Sequence, residues 1–105
     1  MSIQKLQTIA IECRNIAEQI LQERGMSKTY RARLETDKVG RPRIVIEQYY
    51  KVSNCPTDWH FMCDFVFLSN DKIEYWSCGS TSWTFDFSIA KFEELMRNAG
   101  NYHIV

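Results

Sequence analysis

The chain has 105 residues, of which 45% are hydrophobic and 25% are charged, and this size and composition are typical of one globular domain. No apolar stretch approaches the ~20 residues that a membrane-spanning helix needs, which argues against a membrane protein. The formal net charge is zero, but residues 24–43 hold seven bases against two acids. This positive segment is local, whereas dedicated nucleic-acid-binding domains are typically basic overall.

Apolar side chains recur at spacings of three and four near the N-terminus, and this pattern predicts a helix over residues 3–24. Ser2 can cap the start of this helix and Gly25 can end it. Because bulky Ile recurs along the apolar stripe, we expect the helix to pack against a sheet. The stripe consists of Ile3, Leu6, Ile9, Ala10, Cys13, Ile16, Ala17, Ile20 and Leu21.

The next segment predicts a β-hairpin. Uncharged and charged side chains alternate strictly over residues 30–37, which is typical of a half-exposed antiparallel strand. Gly40 and Pro42 mark a turn, and residues 43–52 return as a second strand.

Two registers of this hairpin agree with the alternation. One register places Arg31 opposite Glu47 and Glu35 opposite Arg43, and the other places Arg33 opposite Glu47. In both registers opposite charges meet on the face that lies away from the core, and each such pair contributes about 0.2–1 kcal/mol.

Residues 59–68 predict a long strand in the middle of the chain. Strict alternation places His60 and Cys63 on opposite faces, so they are not expected to share a ligand. Asp64 is expected on the solvated face of the sheet. The opposite face, expected in the core, carries Trp59, Phe61, Cys63, Phe65 and Phe67.

Two further strands and a helix are predicted after residue 70. The strands cover residues 72–78 and 83–87, and a helix follows that Ser88 caps and Gly100 ends. The residues of the second strand that are expected to point inward are Trp83, Phe85 and Phe87.

The strands 59–68 and 72–78 also allow two registers. One sets Cys63 opposite Cys78, and the other sets Phe65 opposite Tyr75. The second register is favoured because it gives a more uniformly apolar face.

The order of elements, α-β-β-β-β-β-α, predicts a single α+β domain over residues 1–105. We expect an antiparallel sheet of four to five strands, with the N-terminal and the C-terminal helix packed on one face.

The sequence contains four cysteines, Cys13, Cys55, Cys63 and Cys78. The first twenty residues lack the continuous apolar segment of a secretory signal, so we expect a cytoplasmic protein whose thiols are reduced.

The residues do not form a recognisable catalytic or metal-binding motif. The sequence has no nucleophile elbow and no Gly-rich phosphate loop. The spacing of Cys55, His60, Cys63 and Cys78 differs from the close pairs of structural zinc sites. We therefore expect no metal and no cofactor, and we favour a role other than catalysis.

The first functional hypothesis is a small protein-binding module of the inhibitor, immunity, adaptor or accessory type, and an origin in a phage or mobile element is one version of it. A short chain that is rich in Tyr and Trp favours this class, because these residues are common at interfaces. A homo-oligomer belongs to the same hypothesis, since an unpaired strand edge can pair with a second copy.

Two alternatives remain open from the sequence. The basic hairpin at residues 28–43 could bind nucleic acid, with arginines on the phosphates and an aromatic ring on a base. A sheet that curves around a helix could instead carry a small apolar ligand. The candidate partner-binding residues are Arg31, Arg33, Lys38, Arg41, Arg43 and Tyr49.

Overall fold

The computed structural model describes residues 3–68, 70–77 and 82–103, and these residues form two helices and five strands. The helix α1 comes first, the strands follow one another, and α2 comes last. The bounds are α1 Ile3–Glu23, β1 Tyr30–Thr36, β2 Pro42–Tyr49, β3 Trp59–Phe67, β4 Lys72–Ser77, β5 Ser82–Asp86 and α2 Ile89–His103.

The strands form one sheet in chain order, β1-β2-β3-β4-β5, and each neighbouring pair is antiparallel. Connections between successive strands are short, so each strand pairs with the strand that follows it. The predicted α+β class and the predicted order of elements are confirmed.

The registers also agree with the sequence patterns. Arg31 lies opposite Glu47, which is the first of the two registers considered for the β1–β2 hairpin. Phe65 lies opposite Tyr75, which confirms the register favoured for the β3–β4 hairpin.

Both helices pack against the same face of the sheet and share one core with it. Phe92 of α2 is fully buried, and its ring centroid lies 5.0 Å from that of Phe65 and 6.4 Å from that of Phe67. Burial of a side chain of this size stabilises the fold by roughly 1.5–3 kcal/mol. From α1 the core receives Leu6, Ala10, Cys13, Ala17, Ile20 and Leu21.

A β-bulge interrupts the alternation of β3. Ile46 of β2 lies opposite Cys63, but the next residue, Glu47, lies opposite Phe61. Met62 is therefore an extra residue in β3, and the side chains of this strand change faces there.

The bulge corrects the predicted assignment of faces. Trp59 and Phe61 were expected in the core with Cys63, but they lie on the face away from the helices, where Phe61 is 42% exposed. That prediction was wrong because it assumed an unbroken period of two, and a bulge shifts this period by one residue.

Of the predicted signals for the helix ends, Ser2 lies outside the described residues, Gly25 and Ser88 are confirmed, and Gly100 is not. Gly25 follows α1 with a φ of +70°, which suits glycine, and the Ser88 hydroxyl accepts a hydrogen bond of 3.0 Å from the Lys91 amide at the start of α2. However, α2 continues to His103 instead of ending at Gly100. A glycine within a helix costs only about 1 kcal/mol, so it does not by itself end one.

Two strand predictions also need correction. β2 ends at Tyr49 rather than Val52, although the Tyr50 amide still donates to the Asp58 carbonyl, just before β3 begins. Trp83 was expected inside the core, yet it is 48% exposed because β5 is an edge strand that is flanked on one side only.

Two cysteines that the structure describes carry free thiols, Cys13 and Cys55. Burial raises the pKa of the Cys13 thiol to about 12, and the charge of Glu12 adds to this effect. Cys63 lies opposite Ser77, and Cys78 is outside the described residues.

Within the described ranges, neither helix has the length and apolar character needed to cross a membrane.

Replacing the buried Phe92 tests the core. We expect Phe92→Ala to lower the free energy of unfolding by about 3–5 kcal/mol, because it leaves a cavity beside Phe65 and Phe67. Denaturant titration measures this loss. The control is Ile11→Ala, which removes a 48% exposed side chain from α1 and should change stability by less than about 0.5 kcal/mol. Similar losses in the two variants would contradict the assignment of the core.

Candidate binding surface on the open face of the sheet

The face of the sheet that carries no helix is called here the open face. Because strand neighbours lie side by side, its side chains form rows across the sheet. One row contains Arg33, Val45, Asp64 and Trp76, and another contains Arg31, Glu47 and Phe61. A third pairs Tyr49 with Trp59. The open face thus combines charged side chains near its middle with aromatic side chains at one end.

Glu47 binds two arginines of the neighbouring strand. Its Oε1 accepts hydrogen bonds from Arg31 Nε at 2.8 Å and from Arg33 Nε at 3.1 Å. Arg33 also binds Glu35. The β1–β2 register produces this arrangement, because it places Glu47 directly opposite Arg31 and two residues from Val45, the partner of Arg33.

The Glu47 carboxylate is held in its charged form. Burial alone would raise the pKa of this carboxyl group, but the hydrogen bonds and charges of Arg33 and Arg31 outweigh burial and lower the pKa below its usual value. Glu47 therefore fixes the positions of two guanidinium groups on the open face.

Asp64 occupies a different environment, although it lies on the same face. Its side chain is only 8% exposed, and Arg43 Nε lies 3.2 Å from its Oδ2. Arg43 also lies 3.2 Å from Glu35 Oε1. Among the described residues, Oδ1 of Asp64 has no hydrogen-bond partner. The expectation that Asp64 would be solvated was wrong, because the neighbouring side chains Val45 and Trp76 flank it on both sides.

Burial raises the pKa of the Asp64 carboxyl to about 6, although the charge of Arg43 acts in the opposite direction. Nearby negative charges, first that of Glu74 and then that of Glu35, contribute to the same rise. Asp64 is thus a buried carboxyl group with a raised pKa.

Aromatic side chains occupy the end of the open face where β2 leaves the sheet and β3 enters it. The rings of Tyr49 and Trp59 meet edge to face with centroids 5.3 Å apart. The guanidinium carbon of Arg31 lies 4.1 Å from the centroid of the Trp59 ring, which is a cation–π contact. Phe61 follows on the same face of β3. We call Tyr49, Trp59 and Phe61 the aromatic rim.

The structure brings together four of the six predicted partner-binding residues. Arg31, Arg33, Arg43 and Tyr49 all lie on the open face. Their role in binding stays a prediction.

The other two predicted residues lie apart from the open face, in the β1–β2 turn. Arg41 Nε donates to Asp37 Oδ2 at 2.7 Å, and Lys38 is exposed in the same turn. The carboxylate of Asp37 also accepts from the Val39 and Arg41 amides, so it organises the turn. Arg41 therefore supports the turn through Asp37.

Sequence reasoning missed Trp59 and Phe61, the two members of the aromatic rim in β3. Their assignment to the core followed from the assumed alternation, and the bulge at Met62 carries no glycine or proline that could mark it. Glu47 and Asp64 were recognised as charged residues, but their burial depends on neighbouring strands.

His60 lies just before the bulge and stacks on Tyr50, with ring centroids 4.0 Å apart. Its Nε2 lies 3.1 Å from the Tyr50 carbonyl oxygen, to which it donates. Within residues 3–68, 70–77 and 82–103, the His, Cys, Asp and Glu side chains form no group of three or more that could hold a metal ion.

No protein-family model, no curated protein and no solved structure matches this chain. The open face is therefore the feature of the molecule from which its function is inferred.

Asp64→Asn tests the burial of Asp64 through the pH dependence of stability. Because the folded-state pKa is raised, the folded chain keeps a proton that the unfolded chain has released between about pH 4 and pH 6. Folding is therefore favoured at low pH. The free energy of unfolding falls by up to about 3 kcal/mol as the pH rises through that window.

We expect Asp64→Asn to remove this loss, so the variant should gain stability relative to the native chain between pH 4 and pH 7. Urea titrations at unit pH steps measure the difference. The control is Asp86→Asn, because the hydrogen bond from Lys72 lowers the pKa of the exposed Asp86 carboxyl. Parallel pH profiles of the native chain and Asp64→Asn would contradict a buried carboxyl.

Glu47→Gln tests the two arginine contacts. The change keeps the size of the side chain but removes the charge, and we expect a loss of about 1–3 kcal/mol in the free energy of unfolding at pH 7. In the control, Glu94→Gln, an exposed carboxylate loses a contact of 3.4 Å to Lys91, and the change should stay below about 1 kcal/mol. Equal effects would show that Glu47 is no more important than a surface ion pair.

Proposed function

We propose that this protein is a small protein-binding module, of the inhibitor, immunity, adaptor or accessory type, and that the aromatic rim contacts its partner. One observation carries the proposal. Phe61 is 42% exposed and Tyr49 is 37% exposed, and both lie beside Trp59 on a sheet face that carries no helix. Aromatic side chains of this kind supply much of the binding energy at protein interfaces.

Contacts within the chain hold two members of the aromatic rim, Tyr49 and Trp59, in place. The rings of Tyr49 and Trp59 meet edge to face, and Arg31 packs over the Trp59 ring. The Nε of Arg31 donates a hydrogen bond to Glu47. Side chains that already occupy their bound positions lose little conformational freedom on association. The mixture of Trp, Tyr and Arg also matches the residue types that dominate interface energetics.

The charges of the open face support a protein partner more than a nucleic acid. Its three arginines, Arg31, Arg33 and Arg43, are matched by Glu35, Glu47 and Asp64 through direct contacts. Affinity for a phosphate backbone comes from bases that replace counterions, and a guanidinium group that binds a carboxylate contributes little to it. The same ion pairs engage Glu35 and Glu47, which supports binding as the proposed role.

Phe61→Asp tests the proposal, because it places a charge at the aromatic rim on a side chain that is already exposed. The matched control is Val39→Asp, which makes the same chemical change at the opposite end of the β1–β2 hairpin, where Val39 is 74% exposed. Tagged full chains of the three forms are used to capture partners from extracts of the source cells, and the recovered proteins are quantified by mass spectrometry.

We expect one protein at a constant ratio with the native chain and with Val39→Asp. With Phe61→Asp its recovery should fall strongly, and its measured affinity should weaken by about 30-fold. Recovery unchanged by Phe61→Asp would overturn the assignment of the surface. Recovery of nucleic acid, or heparin retention that falls steeply with salt, would favour the basic hairpin instead, and a co-purifying small molecule would favour a carrier.

A further inference from the structure

Among the described strands β5 is the last in the sheet, so one of its edges has no described strand beside it. The Phe87 amide donates to the Asp71 carbonyl at 2.9 Å, towards β4. Since backbone groups of alternate residues point to the same neighbour in an antiparallel pair, Phe85 and Trp83 also face β4. The backbone N–H and C=O groups of the intervening residues, Ser82, Thr84 and Asp86, therefore point away from the sheet.

Within the described part of the chain, the outward backbone groups of β5 have no hydrogen-bond partner. The opposite edge of the sheet, in β1, is different. The Tyr30 amide donates to the Met26 carbonyl at 2.9 Å, and the Ala32 amide donates to Glu18 Oε1 of α1 at 2.9 Å. The molecule thus satisfies part of its β1 edge internally but leaves the β5 edge available.

The sequence of β5, Ser-Trp-Thr-Phe-Asp, is self-complementary when two copies run antiparallel. If Thr84 lies opposite Thr84 of the second copy, then Trp83 meets Phe85 and Ser82 meets Asp86, each of these pairs occurring twice. Aromatic pairs and Thr–Thr pairs stabilise neighbouring strands, and no two like charges face each other directly.

We propose that this chain forms a two-fold symmetric homodimer in which the two β5 strands pair antiparallel about Thr84, giving a continuous sheet across both copies. The outward groups of Ser82, Thr84 and Asp86 would form the backbone ladder, and an antiparallel pair uses both N–H and C=O of each such residue. Trp83, which is 48% exposed and stacks on Tyr75, would gain a second aromatic neighbour.

The charges near β5 favour this arrangement. Lys72 binds the Asp86 carboxylate within the same chain, so the acidic end of the strand does not repel a second copy. Lys91 Nζ lies 4.8 Å from the centroid of the Phe85 ring. It therefore contacts the ring that would meet Trp83 of the second copy.

This interface lies at a different place from the aromatic rim. A two-fold axis through the Thr84 pair is perpendicular to the sheet, so both open faces would lie on the same side of the dimer. The dimer therefore does not depend on the proposed binding function, and Phe61→Asp should leave it intact.

Analytical ultracentrifugation of the full chain over about 5–500 μM tests the proposal, since a short edge interface is expected to be of modest affinity. We expect a concentration-dependent species of twice the 12.4 kDa of one chain. Thr84→Lys places two positive charges at the two-fold axis, and it should raise the dissociation constant of the dimer about tenfold at low salt, with partial recovery at high salt.

Thr84→Pro removes an outward amide, which an edge strand tolerates, and should also weaken the dimer. The matched control is Thr36→Pro, which removes an outward amide from the β1 edge and should leave dimerisation unchanged. Circular dichroism checks that each variant is folded. If Thr84→Pro unfolds the chain, the effect of Thr84→Lys on the dissociation constant tests the proposal. A single-chain mass at all concentrations would overturn the proposal, as would a dimer that Thr84→Lys weakens no more than Thr36→Pro does.

Discussion

The extra residue at Met62 determines how β3 divides its aromatic side chains between the two faces of the sheet. Beyond the bulge, Cys63 and Phe65 point into the core beneath the helices. Before it, Trp59 and Phe61 point to the open face. Without the bulge, these two large rings would be directed towards the helix layer, and the open face would lose most of its aromatic rim. One inserted residue therefore separates the residues that stabilise the fold from those that are available for binding.

The open face also contrasts two buried carboxyl groups. Glu47 accepts hydrogen bonds from two arginines, and these contacts keep its pKa low in spite of burial. Burial raises the pKa of Asp64, which has an Oδ1 without a hydrogen-bond partner among the described residues and acidic neighbours. Burial also acts on Glu47, but there the hydrogen bonds to the charged form outweigh it. Glu47 therefore organises the charged part of the surface, whereas Asp64 makes it sensitive to pH.

Much of the fold could be predicted because its signals are local. The stripe of α1, the alternation in β1 and the cap at Ser88 each depend on residues close in sequence. Even the pairing of Arg31 with Glu47 was one of two registers that charge alternation allows. The bulge at Met62 could not be predicted, because no glycine or proline marks it.

The burial of Asp64 also depends on distant residues. Val45 and Trp76 flank it from neighbouring strands, and periodicity within β3 contains no information about them. Only part of the candidate site could consequently be predicted from the sequence. The basic segment indicated its charged residues, whereas its aromatic residues in β3 required the three-dimensional structure.

The contact between Glu18 and the Ala32 amide bears on whether further copies can add to the β1 edge. A sheet with two unguarded borders can add further copies at both, which is the route to fibrils. Here the Glu18 carboxylate of α1 accepts a hydrogen bond from the Ala32 amide at the β1 edge. Its negative charge repels the carbonyl oxygens of an approaching strand. Growth through strand addition is thereby discouraged on that side, so any assembly through the other border is expected to stop at a finite size.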